Sequence, residues 1–287
     1  MRPVAIDDGD IRVEVDPARG GGITRFDWRG HPILRPASGI GVLDLACFVL
    51  VPFSNRIADG LFQAEGRVHR LAPNHPDQRH PLHGMGWLAA WTVAESKPCR
   101  MVLRHERPSG DWPWHYATEQ RLSIEDGTLR HALQVTNRSP TPMFAGLGFH
   151  PYFPRNDATL YAGRHRGEWQ VDPEGLPIAL ATADEPRDWW EGAPLASRRV
   201  DTCYTDRDGP LKISWPDRGI AVELVPDAHL AFTHVFVPDG ADYACIEPVS
   251  HSTDAINRRD DPNRGGRWIA SGETFAVELR YRPHEIG

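Results

Sequence analysis

Along most of this chain apolar and polar residues alternate with a period of two. Ile11, Val13 and Val15; Leu122 and Ile124; Leu129, Leu133 and Val135; Leu211, Ile213 and Trp215; Ile220, Val222 and Leu224; and Phe275, Val277, Leu279 and Tyr281 each line up on one face. Successive side chains of an extended chain point to opposite sides, so this pattern predicts half-buried β-strands. Turn residues separate the runs. Asp126-Gly127 stands between Ile124 and Leu129, and Pro216-Asp217-Arg218-Gly219 between Trp215 and Ile220, which predicts two antiparallel hairpins. Long helical periodicity is missing; the best stretch, Asp184 to Glu191, is short and interrupted by Pro186. The 26 Gly and 26 Pro are spread evenly, with no linker, repeat or low-complexity tract. The expectation is an all-β chain, one domain over residues 1–287, built of antiparallel sheets stacked face to face. A curved sheet face and the loops at its rim are then the place for a ligand.

Composition narrows the partners. A chain of 287 residues with 40% hydrophobic and 25% charged residues can bury a core without staples. Its net charge of −7 argues against nucleic acid, whose phosphates need a concentrated cationic surface. Basic residues are almost all Arg, with Lys only at Lys97 and Lys212, and they form no polybasic run. The segment Met1 to Asp8 lacks the apolar stretch of a signal peptide, and no apolar run approaches the roughly 20 residues that span a bilayer. No membrane partner and a cytoplasmic location are the corresponding expectations. Cys47, Cys99, Cys203 and Cys245 lie far apart without Cys-x-x-Cys spacing and read as reduced thiols in apolar strands.

The candidate chemistry starts at His150-Pro151-Tyr152-Phe153-Pro154, preceded by Gly148-Phe149. A residue before proline is pushed toward extended backbone, so the imidazole is expected at a strand end, with Tyr152 and Phe153 offering flat apolar surface to a ring. Histidine moves protons near neutral pH, although a His between Phe and Pro also suits a hydrogen-bonded strand terminus. Four further segments place polar residues among turn-forming or apolar neighbours. They are Pro52-Phe53-Ser54-Asn55-Arg56-Ile57, His80-Pro81-Leu82-His83-Gly84 with Trp87 and Trp91 beyond, Val200-Asp201-Thr202-Cys203-Tyr204, and Ala244-Cys245-Ile246-Glu247-Pro248. Arg56 supplies a rigid fork of donors. Glu247 follows an apolar run, so partial burial would favour its neutral form and strengthen it as a base, whereas a nearby imidazolium pulls the other way. A structural salt bridge to one of the arginines is the competing reading. His75, His80 and His83 lie close enough to suggest a metal, but their spacing matches no zinc signature, and Pro76 and Pro81 restrict their convergence. No Gly-x-Ser-x-Gly elbow and no glycine-rich phosphate loop is present.

In order and approximate spacing, Asn55-Arg56-Ile57, Leu82-His83-Gly84, His150-Pro151-Tyr152-Phe153, Glu247 and Asn257 resemble the motifs of the aldose 1-epimerase (galactose mutarotase) family over most of the chain. The resemblance implies an antiparallel β-supersandwich, no cofactor, and interconversion of the α and β anomers of a free monosaccharide by ring opening and reclosure. By position it implies Glu247 as general base and His150 as general acid, on opposite sides of the acetal carbon, with the negative Glu247 helping to keep the imidazole charged. Arg56, His83 and Asp201 match residues that hold hydroxyls and the ring oxygen, and Asn55 and Tyr152 complete the substrate contacts. Trp87, Trp91 or Tyr152 are candidates to pack on the sugar's apolar face, with core packing as the alternative. The chain departs from the family pattern at Leu82-His83-Gly84-Met85, where a second Gly is common, and at Pro154-Arg155, where Asn-Leu often follows. Two other readings keep the fold: a hexose 6-phosphate substrate held by Arg155, Arg164, Arg166, Arg198 and Arg199, or a carbohydrate-binding domain without catalysis.

Overall fold

The computed structural model describes residues 3–182 and 189–287. Strands dominate it, the helical pieces being three-residue 3₁₀ turns. No helix among the described residues is long and apolar enough to cross a membrane. Eighteen strands join in one antiparallel network, and two small two-stranded sheets complete the fold. The helical stretch expected at Asp184 to Glu191 falls chiefly on positions outside the described residues, and Trp189–Glu191 form a turn and bend.

Each alternating segment is a strand with its apolar face buried. Tyr116–Glu125 and Thr128–Asn137 pair around the Asp126-Gly127 turn, and Val200–Trp215 and Ile220–Pro226 pair around Pro216–Arg218. At the second turn Gly219 takes φ 63°, a left-handed conformation that costs glycine nothing.

The strands that carry the candidate residues His150 and Glu247, and the strand beside them, do not alternate. Cys47–Leu50, Gly148–Pro154 and Tyr243–Val249 are almost wholly buried, because both their faces are covered. One face, carrying Val49, Phe149, Phe153, Ala244 and Ile246, packs into the main core. The other, carrying Phe48, Leu50, Tyr152, Cys245 and Val249, joins a second apolar cluster with Trp87, Trp169, Cys203 and Phe232. Phe153 and Trp91 therefore belong to the main core and offer nothing to a ligand. Three cysteines lie in buried strand positions as expected, whereas Cys99 sits in the turn between Thr92–Lys97 and Arg100–Arg107 and keeps a free thiol like the others.

Candidate active site

His150 lies inside the strand Gly148–Pro154 rather than at its end. The strand runs on through Pro151 because it pairs with Cys47–Leu50 on one side, where His150 is opposite Phe48. On the other side Gly148 faces Val249 and Tyr152 faces Cys245, so the register puts His150 opposite Glu247. Regular pairing lapses between those two points. Pro151 and Pro248 lack the N–H groups that a ladder needs there. Glu247 is in turn opposite His234 on the next strand, and His234 is opposite Cys203 on the one after. Phe48, His150, Glu247, His234 and Cys203 thus form one row across neighbouring strands, all on the second cluster's face.

Within that row His150 Nε2 and Glu247 Oε1 are 3.3 Å apart. The pair stands side by side, not on opposite walls of a cavity. The His150 ring is clamped between Phe48 and Tyr152, with centroids 4.5 and 4.8 Å away, so Tyr152 orients the imidazole instead of presenting a free face. Arg35 in turn lies between the rings of Tyr152 and Tyr243 at 4.3 and 4.5 Å. Trp87 stacks behind Phe48 at 5.3 Å and serves as backing.

The polar residues come in from loops. Asn55 and His83 both adopt positive φ, 55° and 59°, and hold one another: His83 N–H donates to Asn55 O at 2.9 Å, and Asn55 N–H donates to His83 Nδ1 at 3.2 Å. The second bond makes Nδ1 an acceptor and assigns the His83 proton to Nε2. Gly84 follows at φ 70°, where any Cβ would collide with the Val51 carbonyl, so Leu-His-Gly needs its glycine. Asn55 Oδ1 accepts from Arg56 N–H at 2.9 Å and Nη1 at 3.1 Å, which orients the amide so that Nδ2 donates to His234 Nδ1 at 3.2 Å. His234 Nε2 then donates to Asp201 Oδ1 at 2.7 Å, while Arg56 Nη2 lies 3.5 Å from Asp201 Oδ2. Over this group sits the turn Asp172 to Leu176, pinned through Glu174 to Arg79 at 2.8 Å and to His80 Nε2 at 3.2 Å, with Gly175 against the Arg56 guanidinium.

All seven candidate residues, Glu247, His150, Arg56, His83, Asp201, Asn55 and Tyr152, therefore gather at one place. His75, His80 and His83 do not converge: His75 Nδ1 accepts from Asp77 N–H, His80 Nδ1 from Asp59 N–H, and His83 Nδ1 from Asn55 N–H. Asn257 stands apart from the site, bonded to Leu61 O and Asp254. The sequence reading missed His234. Its signal is the strand Phe232–Val237, where His234 is the one polar residue on the face shared by Phe232 and Phe236.

Burial sets the electrostatics. Glu247 is 2% exposed, and burial, reinforced by Asp201 and opposed by Arg56, pushes its carboxyl well above the usual range. Burial, with the neighbouring His234 adding to it, pushes His150 down to about 3. An imidazole kept charged by Glu247 is therefore not what this site holds when empty; desolvation favours both neutral forms, with one proton on the pair. Burial, then His150 and Arg56, push His83 well below its usual range. Burial alone would raise Asp201, but its hydrogen bond with His234 and the nearby Arg56 guanidinium outweigh this and hold it at about 2. A narrow crevice beside the carboxyl is lined by Asn55, Cys203, His234 and Glu247 among others.

The family model for aldose 1-epimerase matches residues 4–282. The chain belongs to the aldose 1-epimerase family. It is 32% identical over 284 residues to the uncharacterized protein YphB of Escherichia coli K12, covering 94% of this chain and 95% of that one. A crystal structure from Escherichia coli K12, provisionally assigned as an aldose 1-epimerase, superposes with a TM-score of 0.91 at 29% identity and covers 99% of each chain. A galactose mutarotase-like protein from Clostridium acetobutylicum shares the fold, with a TM-score of 0.87 at 16% identity over 98% of this chain and 95% of that one. The fold is thus the all-β, galactose mutarotase-like supersandwich of aldose 1-epimerases.

Proposed function

We propose that the protein interconverts the α and β anomers of a free neutral monosaccharide, with Glu247 as general base and His150 as general acid. The observation carrying this reading is the buried pair at 3.3 Å, in which the Glu247 carboxyl receives no hydrogen bond from any described residue. A buried carboxyl with only an imidazole beside it costs stability, and a catalytic task explains why it is kept.

Anomer exchange takes the proton from the C1 hydroxyl and delivers one to the ring oxygen, opening the ring to an aldehyde that rotates and recloses on its other face. Both oxygens are bonded to C1. A base and an acid placed side by side therefore reach them together, and no opposing wall is needed. The single shared proton suits the cycle: ring opening uses Glu247 ionised with His150 protonated, and reclosure reverses the transfers, each worth roughly a hundred- to ten-thousandfold. The sugar's hydroxyls supply the polar partners that make the charged arrangement accessible. Around the pair, His83 Nε2–H, Arg56, Asn55 and Asp201 provide donors and acceptors for hydroxyl groups, while Tyr152 holds His150 in place.

Four of the five arginines that a 6-phosphate would need, all but Arg166, are engaged elsewhere. Arg155 binds the Ala241 and Pro238 carbonyls, Arg164 pairs with Glu191, Arg198 with Glu168, and Arg199 with Asp239. Exchange between anomers, followed by NMR over a panel of neutral sugars and glucose 6-phosphate, tests the proposal. Glu247→Gln should abolish exchange while sugar binding persists. Full activity in that variant refutes the assignment, and a strong preference for glucose 6-phosphate refutes the neutral substrate.

A further inference from the structure

Cys245 has no part in the acid/base chemistry just described, yet it sits in the middle of it. Cys245 and Glu247 are alternate residues of Tyr243–Val249 and share a face, and His150 is opposite Glu247 on the adjoining strand. One ligand atom from each of the three, nitrogen, sulfur and oxygen, lies within 4.8 Å of the other two, and all three residues are buried. The Cys245 thiol and the Glu247 carboxyl carry no hydrogen bond among the described residues, and His150 Nε2 has only the Glu247 carboxyl beside it, at 3.3 Å. Packing at position 245 asks only for a small apolar side chain.

We infer that His150, Cys245 and Glu247 form a site for a thiophilic divalent cation of the Zn²⁺ or Co²⁺ class, and that metal bound there shuts off access of a sugar to Glu247 and His150. Tetrahedral bonds of about 2.0–2.3 Å put ligand atoms roughly 3.3–3.6 Å apart. The His150 to Glu247 edge already has that length at 3.3 Å, and Cys245 closes the remainder by side-chain rotation. The donor set is soft and mixed, which favours Zn²⁺ and Co²⁺ over Mg²⁺ or Ca²⁺. Charge also balances. A dication with a thiolate and a carboxylate is neutral overall, so the burial that disfavours each anion singly no longer opposes the complex. Three protein ligands leave the fourth tetrahedral position for water or another small ligand. Binding expels the thiol proton and the carboxyl proton, so affinity rises with pH.

The test is spectroscopic and needs no assumption about the reaction; only its inhibition arm rests on the proposed function. Metal-free protein titrated with CoCl₂ should develop a near-ultraviolet sulfur-to-cobalt band saturating at one equivalent and displaced by ZnCl₂. The band should vanish in Cys245→Ser and survive in Cys203→Ser, with folding of both checked by circular dichroism. In wild-type protein, calorimetry in buffers of different ionisation enthalpy should show release of close to two protons per Zn²⁺. Zn²⁺ should inhibit anomer exchange competitively with sugar, at least tenfold more weakly in Cys245→Ser, whose metal-free turnover should match wild type. Absence of the band, its persistence in Cys245→Ser, or Zn²⁺ binding without proton release overturns the inference. A Cys245-dependent band in a protein that exchanges no sugar would leave the metal site standing and remove the proposed reaction.

Discussion

Replacing Glu247 by Gln should make the empty protein more stable, and the gain should grow with pH. Glu247 is 2% exposed, has no hydrogen-bond donor among the described residues, and has a carboxyl pushed up by burial from an ordinary value of 4.5. Unfolded, it ionises near that ordinary value. The folded state therefore holds a proton that the unfolded chain has released, and stability falls as pH rises from 4.5 toward the folded value. Each pH unit in that window costs about 1.4 kcal/mol. At pH 7, two and a half units above 4.5, the penalty has a ceiling of about 3–4 kcal/mol; at pH 5 it stays below about 1 kcal/mol. Glutamine keeps the shape and never ionises, so Glu247→Gln should gain about 1–3 kcal/mol at pH 7, or roughly 2–6 °C in Tm for a chain of this size. Urea unfolding of both proteins at pH 5, 6, 7 and 8, followed by tryptophan fluorescence, measures the difference. A variant less stable than wild type at pH 7, or a gain independent of pH, would show that Glu247 is ionised and satisfied in the folded state.

Other perturbations probe the surroundings. His150→Gln should lower kcat for anomer exchange by roughly a hundred- to ten-thousandfold with Tm little changed, and retention of turnover would remove His150 as the acid. His234→Phe deletes the partner of both Asp201 and Asn55, so KM should rise severalfold while kcat changes less; an unchanged KM would mean that neither residue holds substrate. Gly175→Ala puts a side chain at φ 80° with its Cβ 2.7 Å from Arg56 Nη1, and steady-state kinetics should show a raised KM because the guanidinium is displaced. Burial pushes His131 and His165 down to about 3 and His251 to about 4, from 6.5. The unfolded chain takes up protons there first, so their contribution is lost as pH falls from 6.5, by up to about 4 kcal/mol per unit for three groups together. Urea midpoints that stay flat between pH 6.5 and 5 would contradict neutral burial.

What the sequence revealed follows from which strands face water. Ile11–Asp16 or Thr274–Glu285 has one dry face, so its period of two is visible and its position in the fold could be expected. Cys47–Leu50, Gly148–Pro154 and Tyr243–Val249 are dry on both faces and show only short apolar runs, which periodicity does not separate from other buried segments. Two of those strands carry the proposed acid and base. The residues of the site were nevertheless nameable, because Asn55, Arg56, His83, His150, Asp201 and Glu247 sit in recurring local motifs. His234 has no motif; its importance comes from a register spanning two ladders, which no local stretch displays. Protonation was misread for the same reason. Whether an imidazole beside a carboxylate is charged depends on how far water is excluded, and the Phe48 and Tyr152 rings that exclude it from His150 include one a hundred residues away in sequence.

The row of His150, Glu247 and His234 across adjoining strands divides the labour of the fold. Spacing between these groups is set by strand register, fixed for His150 and Glu247 by the ladder pairs on either side, which tolerates neither insertion nor slippage, since a one-residue shift would turn every member of the row to the opposite side. Asn55, Arg56, His83 and the Asp172 to Leu176 turn hang from connecting segments that can be lengthened or rebuilt independently. Diversification among relatives should consequently be found in the overhanging loops, with the reactive row left untouched beneath them.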